Sequence, residues 1–527
     1  MGTASAVSTP PARRLAALAT LLSLGLLASW FAVQARPALR AYQDSAIYLE
    51  GARQLAAGQG FSTALVPLEA DEPSPITAYA PGFSALIAPL VLCGLDEREG
   101  AAVVLALAYV AYALASCALV LAAAGFGWWP AAGLFTLALI LQPTVIQYVP
   151  SILSDLPFAA ATTAVAWLAV RQLQREEPSL AAALGLGIAL GLATLIRWSG
   201  LHLGIVLAIG LWLALPSALA PARRLRLLAA IALGGAATVG PWLLRNRLRG
   251  GFLTGDRFLT LHDPATIAGQ LLSGLSSGRS DLHALLADVP GAGVACDGVL
   301  ALDLTLLLWL VVRGRGWRVR HVRLLAVLAV GYTAALGITA CLHIVDALVA
   351  PRYWLPVWPL LGAGAFGALA HAELSPRARR AVAVVWLLPM AGAVAAFNAH
   401  RLELARPGVE LERYFLDERL AHSAPVAYLR SKGRGCAVVS NYAVPLTLHA
   451  KPRLVHALRP DAAALRAFLD RRGDVCIAYF HRRDVYRKHP EVDPAPALEA
   501  LAREGRIRRI QRDAYGEIWV STSAADG

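Results

Sequence analysis

Charge is scarce in this chain. Of its 527 residues only 16% are Asp, Glu, Lys or Arg, whereas 57% are apolar. An ordinary soluble surface needs about a quarter of residues charged, so a single soluble enzyme domain is excluded. Disordered and fibrous classes are excluded with it, because the mean hydropathy is +0.55. Lysine is nearly absent. Only Lys432, Lys451 and Lys488 occur, and the other 45 of the 48 cations are arginine. With the abundance of Ala and Leu, this bias reads as GC-rich bacterial coding. Cysteine is sparse too: residues 93, 117, 296, 341, 436 and 476 form no CxxC and no His/Cys cluster. That argues against a cysteine-built metal site. No internal repeat shows at a fixed period.

What the chain does have is long apolar runs. A spanning helix needs about 20 apolar residues. Such runs lie at roughly 15–33, 101–124, 129–147, 152–170, 179–196, 201–220, 225–244, 298–312, 322–342, 354–371 and 380–398, so eleven spans are expected. The first follows Arg13 and Arg14 and outlasts a signal-peptide core, which predicts an uncleaved anchor. The net charge of +13 gathers in breaks between runs, at Arg171/Arg175, Arg223/Arg224/Arg226, Arg313–Arg323 and Arg377/Arg379/Arg380. The positive-inside rule puts these breaks in the cytoplasm. They alternate correctly only if 82–95 does not cross. With about 12 apolar residues that stretch is too short to span, and a helix at the outer interface is expected. The N-terminus is then cytoplasmic. Loops 34–100 and 245–297, and everything after 398, lie outside.

The expected architecture is an α-helical polytopic membrane domain over 1–402 and a small outer α/β domain over 403–527. In the latter, CAVVS (436–440), DVCIAYF (474–480) and GEIWV (516–520) read as strands. Stretches 410–431, 461–472 and 495–504 read as amphipathic helices. Cys436 and Cys476 fall in or beside two of these strands. An oxidising compartment permits a disulfide there, but two buried free thiols are the expectation, since strand interiors commonly bury cysteine.

Three sets of residues are candidates for chemistry. Asp44 stands near the start of a helix suggested by Ile47, Tyr48, Gly51 and Leu55. A carboxylate there often caps the helix. Just outside the first span it could instead take a proton from a hydroxyl while a lipid-borne donor approaches through the bilayer. Asp155, two residues before Pro157, is either part of a helix cap with Ser154 or a functional acid at a span edge. The third set is arginine on the outer side, against the general trend: Arg197, Arg245, Arg247, Arg249 and Arg352. Each suits phosphate by its planar fork, or simply snorkels to lipid headgroups. Their recurrence at three outer sites favours an anionic, lipid-linked ligand, with Asn246, Tyr353 and His343 as accompanying candidates. The glycines at 362, 364 and 367 match a dinucleotide fingerprint by letter only. No strand precedes them, and they read as a helix-packing face, as does Gly187-xxx-Gly191.

Several motifs follow one another in a fixed order: D-x-x-x-Y-x-x-x-A-x-x-L-A-x-G-x-G-F from Asp44, P-G-F-x-x-L-x-x-P from Pro81, S-D-L-P at 154, L-x-R-x-x-G at 195, P-W-x-x-R-N at 241 and R-Y-x-L-P at 352. Over roughly 15–400 the chain resembles the GT-C superfamily of polytopic glycosyltransferases. The bacterial branch akin to protein O-mannosyltransferases and the lipid A aminoarabinose transferase is most similar. The resemblance implies a hexosyl- or pentosyl-transferase of the bacterial inner membrane. Its partners would be a polyprenyl-phosphate sugar donor and a glycan, lipid or protein acceptor. Asp44 would be the general base of an inverting displacement. Asp155 would shape the same cavity. Arg197, Arg245, Asn246, Arg247, Arg352, Tyr353 and His343 would hold the donor. Relatives often carry a second acid where Ser45 stands, so neither a metal nor another cofactor is expected. Two other classes fit a polytopic chain: a transporter or flippase of an anionic substrate, and a non-catalytic envelope scaffold. Both predict that Asp44 is dispensable for sugar transfer.

Overall fold

A computed structural model describes residues 11–35, 39–250, 253–254, 316–342, 351–384, 418–431, 435–481 and 490–522. Apolar helices dominate. They are α1 (Pro11–Ala35), α2 (Gln43–Ala56), α3 (Gly82–Leu92), α4 (Glu97–Ala124), α5 (Trp129–Ile140), α6 (Pro143–Tyr148) and α7 (Asp155–Leu173), then α8 (Leu180–Ile196), α9 (Gly200–Ala214), α10 (Pro221–Gly250), α11 (Arg320–Leu342) and α12 (Val357–His371). By length and composition α1, α4, α10 and α11 can each cross a membrane. Helices α8, α9 and α12 are equally apolar but have 17, 15 and 15 residues. At 1.5 Å per residue they reach about 23–26 Å, short of the ~30 Å hydrocarbon core. The runs expected at 298–312 and past 384 lie outside the described residues.

Two expectations for this region resolve differently. Residues 82–95 form α3, eleven residues long, which is too short to cross. Its buried Phe83 and Ile87 pack in one cluster with Leu49 of α2 and Leu105 of α4. The run at 129–147 is not one helix. Gln142 is extended (φ −61°, ψ 135°) between α5 and α6, because the ring of Pro143 disfavours the helical region at the residue before it.

Small residues set the closest helix contact. A Cβ on Gly187 of α8 would lie 2.1 Å from the carbonyl oxygen of Ile231 on α10. The two helices therefore meet backbone to backbone, as close-packed small-residue faces do. Gly187→Leu should push them apart and cost about 1–3 kcal/mol. Gly185→Leu, where a Cβ meets nothing within 4 Å, should not. Thermal unfolding of the two purified variants compares them directly. Gly362 of α12 faces the ring of Phe135 in the same way, so those glycines serve packing.

The terminal region builds on a six-stranded sheet. Strands β4 (Ala437–Ser440), β6 (Val475–Phe480) and β8 (Gly516–Ser521) coincide with the expected ones, and helices Ala462–Arg472 and Ala495–Arg503 with two expected helices. Two further strands, β5 (Val455–Ala457) and β7 (Ile507–Arg512), have no clear alternation in sequence. The sixth comes from elsewhere. The first loop contains β1 (Ser62–Thr63), β2 (Leu65–Val66) and β3 (Ser74–Pro75), and β2 pairs in parallel with β5. The sheet order is β2-β5-β4-β6-β8-β7. Leu68 of the first loop lies in the same core as Phe468, Ile477 and Trp519, so the sheet is not confined to 403–527.

Cys436 and Cys476 are joined by a disulfide, with Cα atoms 5.8 Å apart. This corrects the expectation of two free thiols. The parallel β4–β6 register places Val438 opposite Cys476, and Cys436 lies diagonally within bonding reach. Its loop has a sequence separation of 40, which constrains the unfolded chain by about 4 kcal/mol. Alkylation in denaturant without reductant should leave both cysteines unlabelled while Cys93 and Cys117 react. Reductant should expose both and lower the stability of the sheet by about that amount.

Candidate active site

The segment before α2 lies beside the segment before α7. Arg40 donates its N–H to the Pro150 carbonyl at 2.9 Å and accepts from Ile152 N–H at 3.0 Å. The buried Ser45 hydroxyl donates to the Ile152 carbonyl at 2.7 Å and accepts from Tyr42 N–H at 2.8 Å. These bonds fix the first turn of α2 against the first turn of α7, and each turn carries an aspartate. A carboxylate at position 45 would face the Ile152 carbonyl, and a hydroxyl fits there instead.

Neither aspartate caps its helix. The N-cap of α2 is Tyr42, with Ser45 closing the turn, and Asp44 is one residue inside. The N-cap of α7 is Ser154, which makes no side-chain cap. Its hydroxyl instead meets Tyr48 Oη at 2.9 Å and accepts from Arg197 at 3.3 Å.

The half-buried Asp44 carboxylate accepts from Tyr79 Oη through Oδ1 at 2.8 Å. Burial pushes the Tyr79 phenol well above its ordinary value and the Asp44 charge adds to the shift, so Tyr79 stays a donor. Burial also raises Tyr48 to about 12, opposed by Arg197. Asp155, almost fully buried, pairs with Arg197 through Oδ1 at 3.0 Å. Two guanidiniums lie over the Tyr353 ring, Arg197 at 5.1 Å and Arg352 at 5.2 Å from its centroid, within cation–π range. Arg352 feels the charges of Asp155, Arg197 and Asp44. The turn carrying it is held by Tyr112 Oη, which donates to the Leu355 carbonyl at 2.8 Å. A Cβ on Gly82 would lie 2.6 Å from the Leu195 backbone. Only glycine lets the Tyr79 loop approach the end of α8 so closely.

Among the described residues two buried polar atoms in this cluster have no partner, Asp155 Oδ2 and Arg352 Nε. Buried polar atoms are normally paired, so these two are open to a water or a ligand. Asp155 and Arg197 largely offset each other. Arg352, a fixed cation with a spare donor, stands in the field of Asp44, a carboxylate with a spare oxygen. This arrangement can hold a phosphate and receive a proton side by side. Among the described residues no group of three or more His, Cys, Asp or Glu is placed to hold a metal ion.

The structure thus brings together Asp44, Asp155, Arg197, Arg352 and Tyr353. It places Arg245 and Asn246 elsewhere. Arg245 donates to the carbonyls of Ile76 at 2.8 Å and Phe61 at 2.7 Å, and the buried Asn246 donates to those of Thr77 and Leu253. Both pin the first loop to α10, because their donors meet backbone rather than open space. Arg247 is exposed, and His343 lies outside the described residues. Tyr48 and Ser154 stood within recognised motifs. Tyr79 stands two residues before the P-G-F motif, but its role needed the fold to be seen.

No protein-family model matches the chain, and no curated protein matches its sequence. Among solved structures it is similar to ArnT from Cupriavidus metallidurans in the apo state, with a TM-score of 0.60 and 15% identity over 97% of this chain and 98% of that one. The same protein bound to undecaprenyl phosphate matches with a TM-score of 0.58 and 15% identity, over 95% and 97%. The chain has the GT-C fold. Because both chains are covered almost end to end, the GT-C likeness takes in the helices, the first loop and the terminal sheet together.

Proposed function

We propose that this protein is a glycosyltransferase of the bacterial inner membrane. It moves a sugar from a polyprenyl-phosphate donor to an acceptor hydroxyl at the outer face, and the anomeric centre inverts. The observation that carries this reading is a half-buried carboxylate, Asp44, whose charge reaches a half-buried arginine, Arg352, that has an unpartnered donor among the described residues. The GT-C fold, shared with a protein crystallised with undecaprenyl phosphate, supports a lipid-linked donor.

In the proposed step the acceptor oxygen attacks the anomeric carbon while the bond from that carbon to the phosphate oxygen breaks. The acceptor proton passes to Asp44 Oδ2, which makes no hydrogen bond among the described residues. Tyr79 orients the carboxylate through Oδ1. The departing phosphate gains negative charge, and Arg352 stabilises it with a donor already in place. Arg197 acts at one remove, holding Tyr353 and Asp155 in position. Outward placement of the site, from the arginine alternation, puts the terminal sheet in the periplasm.

The test is transfer by the purified protein with a polyprenyl-phosphate sugar of defined structure. A charged hydrogen bond is worth about 1.5–3 kcal/mol, so Arg352→Ala should raise the KM for donor about ten- to a hundredfold. Arg352→Lys should recover only part, because the planar fork is lost. An unchanged donor KM in both variants removes Arg352 from the donor site.

A further inference from the structure

The terminal sheet carries a cavity of its own, of about 710 Å³, at the end where β4, β5 and β6 begin. That volume lies in the range of small-molecule sites. Its wall comes from the segments leading into those strands, and Asp71 of the first loop closes the rim. Nothing in the transfer mechanism uses it.

Charge around the wall is unevenly satisfied. Lys451 is paired with Asp96 at 2.8 Å and Glu97 at 2.7 Å, and Arg472 with Asp71. Arg430 and Arg453 also line the cavity, and among the described residues neither has an ion-pair partner. Two unpaired guanidinium forks facing one cavity suit a phosphate or carboxylate group. The carboxylate of Asp474, also unpaired, supplies a hydrogen-bond acceptor on the same wall.

A buried group points the same way. His456 lines the cavity and is 2% exposed. Its Nδ1 lies 3.1 Å from the Pro67 carbonyl. A carbonyl only accepts, so Nδ1 donates to it and Nε2 of the neutral ring can accept from a ligand. A sugar hydroxyl can donate to such an acceptor. The wall is also stiff: the Cys436–Cys476 disulfide ties its β4 and β6 sides.

We propose that this cavity is a binding site for a phosphorylated saccharide, separate from the Asp44 site. Arg430 and Arg453 take the phosphate, and His456 Nε2 and Asp474 accept from sugar hydroxyls.

Titration calorimetry on the intact, detergent-purified protein tests this with glucose 1-phosphate, glucose and inorganic phosphate as probes. Glucose 1-phosphate should bind saturably and more tightly than inorganic phosphate, and glucose should bind weakest. The double variant Arg430→Ala/Arg453→Ala should lose at least tenfold in affinity, and the double Lys variant should lose less. Arg352→Ala should bind glucose 1-phosphate as the wild type does, which separates this cavity from the proposed donor site. Both arginines are exposed, and an unchanged melting temperature of the double Ala variant verifies that it is folded. No binding by any probe, equal binding of phosphate alone, or undiminished affinity in the folded double variant would each overturn the proposal.

Discussion

Asp44→Asn should reduce sugar transfer on the order of 10²–10⁴-fold, the usual contribution of a positioned general base. The variant should still insert and fold. Tyr42 and Ser45, not Asp44, close the first turn of α2, and an asparagine oxygen can still accept from Tyr79. Asp44→Ala should therefore fold as well, and the two variants should be equally inactive. A base can be distinguished from a binding group by its kinetics: kcat should fall while donor KM stays near its original value. The measurement is single-turnover transfer at matched membrane abundance. Near-wild-type rates in Asp44→Asn would exclude the carboxylate from proton transfer, whatever the fate of Arg352.

The largest stability effect is expected at Asp155. Its side chain is 2% exposed, and its partner Arg197 is 20% exposed. Removing one member of a buried ion pair leaves the other uncompensated and costs about 3–5 kcal/mol. Asp155→Ala should therefore unfold well below the wild-type temperature, and Arg197→Met should too. Combining Asp155→Leu with Arg197→Met should restore much of the loss, since apolar replacement of a whole buried pair is often near neutral. Transfer should not return with it, because Tyr353 and Ser154 would have lost the guanidinium that orders them. Calorimetric unfolding of the four proteins checks the cycle. If Asp155→Ala melts with the wild type, the pair does not hold the α7 and α8 ends together.

The features legible in the sequence share a property: each breaks a local rule. Arg197 and Arg352 could be singled out because the arginine alternation assigns them to the outer side of apolar runs, where arginine is uncommon. Asp44 and Asp155 stood out as lone acids at helix starts. What could not be read was which acceptor a donor would reach. Arg245 and Arg352 look alike as letters, yet one donates to the Phe61 and Ile76 carbonyls and the other lies over a ring within the field of two carboxylates. Tyr79 lies in a stretch without helical or strand period, so nothing local aimed it at Asp44. Strand β2 is two residues long, too short for any alternation to register. The Cys436–Cys476 bond depended on strand order, which only tertiary pairing decides.

The pairing of Val66 with His456 has a consequence for how the protein is made. The two partners are separated by almost four hundred residues of chain. At about 5–20 residues per second, β2 emerges roughly 20–80 seconds before β5 exists to receive it. During that interval β2 has no strand to pair with, although the β1–β3 hairpin can form at once and the contacts with α10 can form once residue 250 is made. The sheet edge of that loop is therefore closed long after the residues of the site have been made. A ribosome stalled before residue 455 would leave a membrane-inserted bundle with an open sheet edge, the kind of surface that other chains or a chaperone would engage. Protease sensitivity of the 60–80 loop, followed during synthesis, would report the moment at which that edge closes.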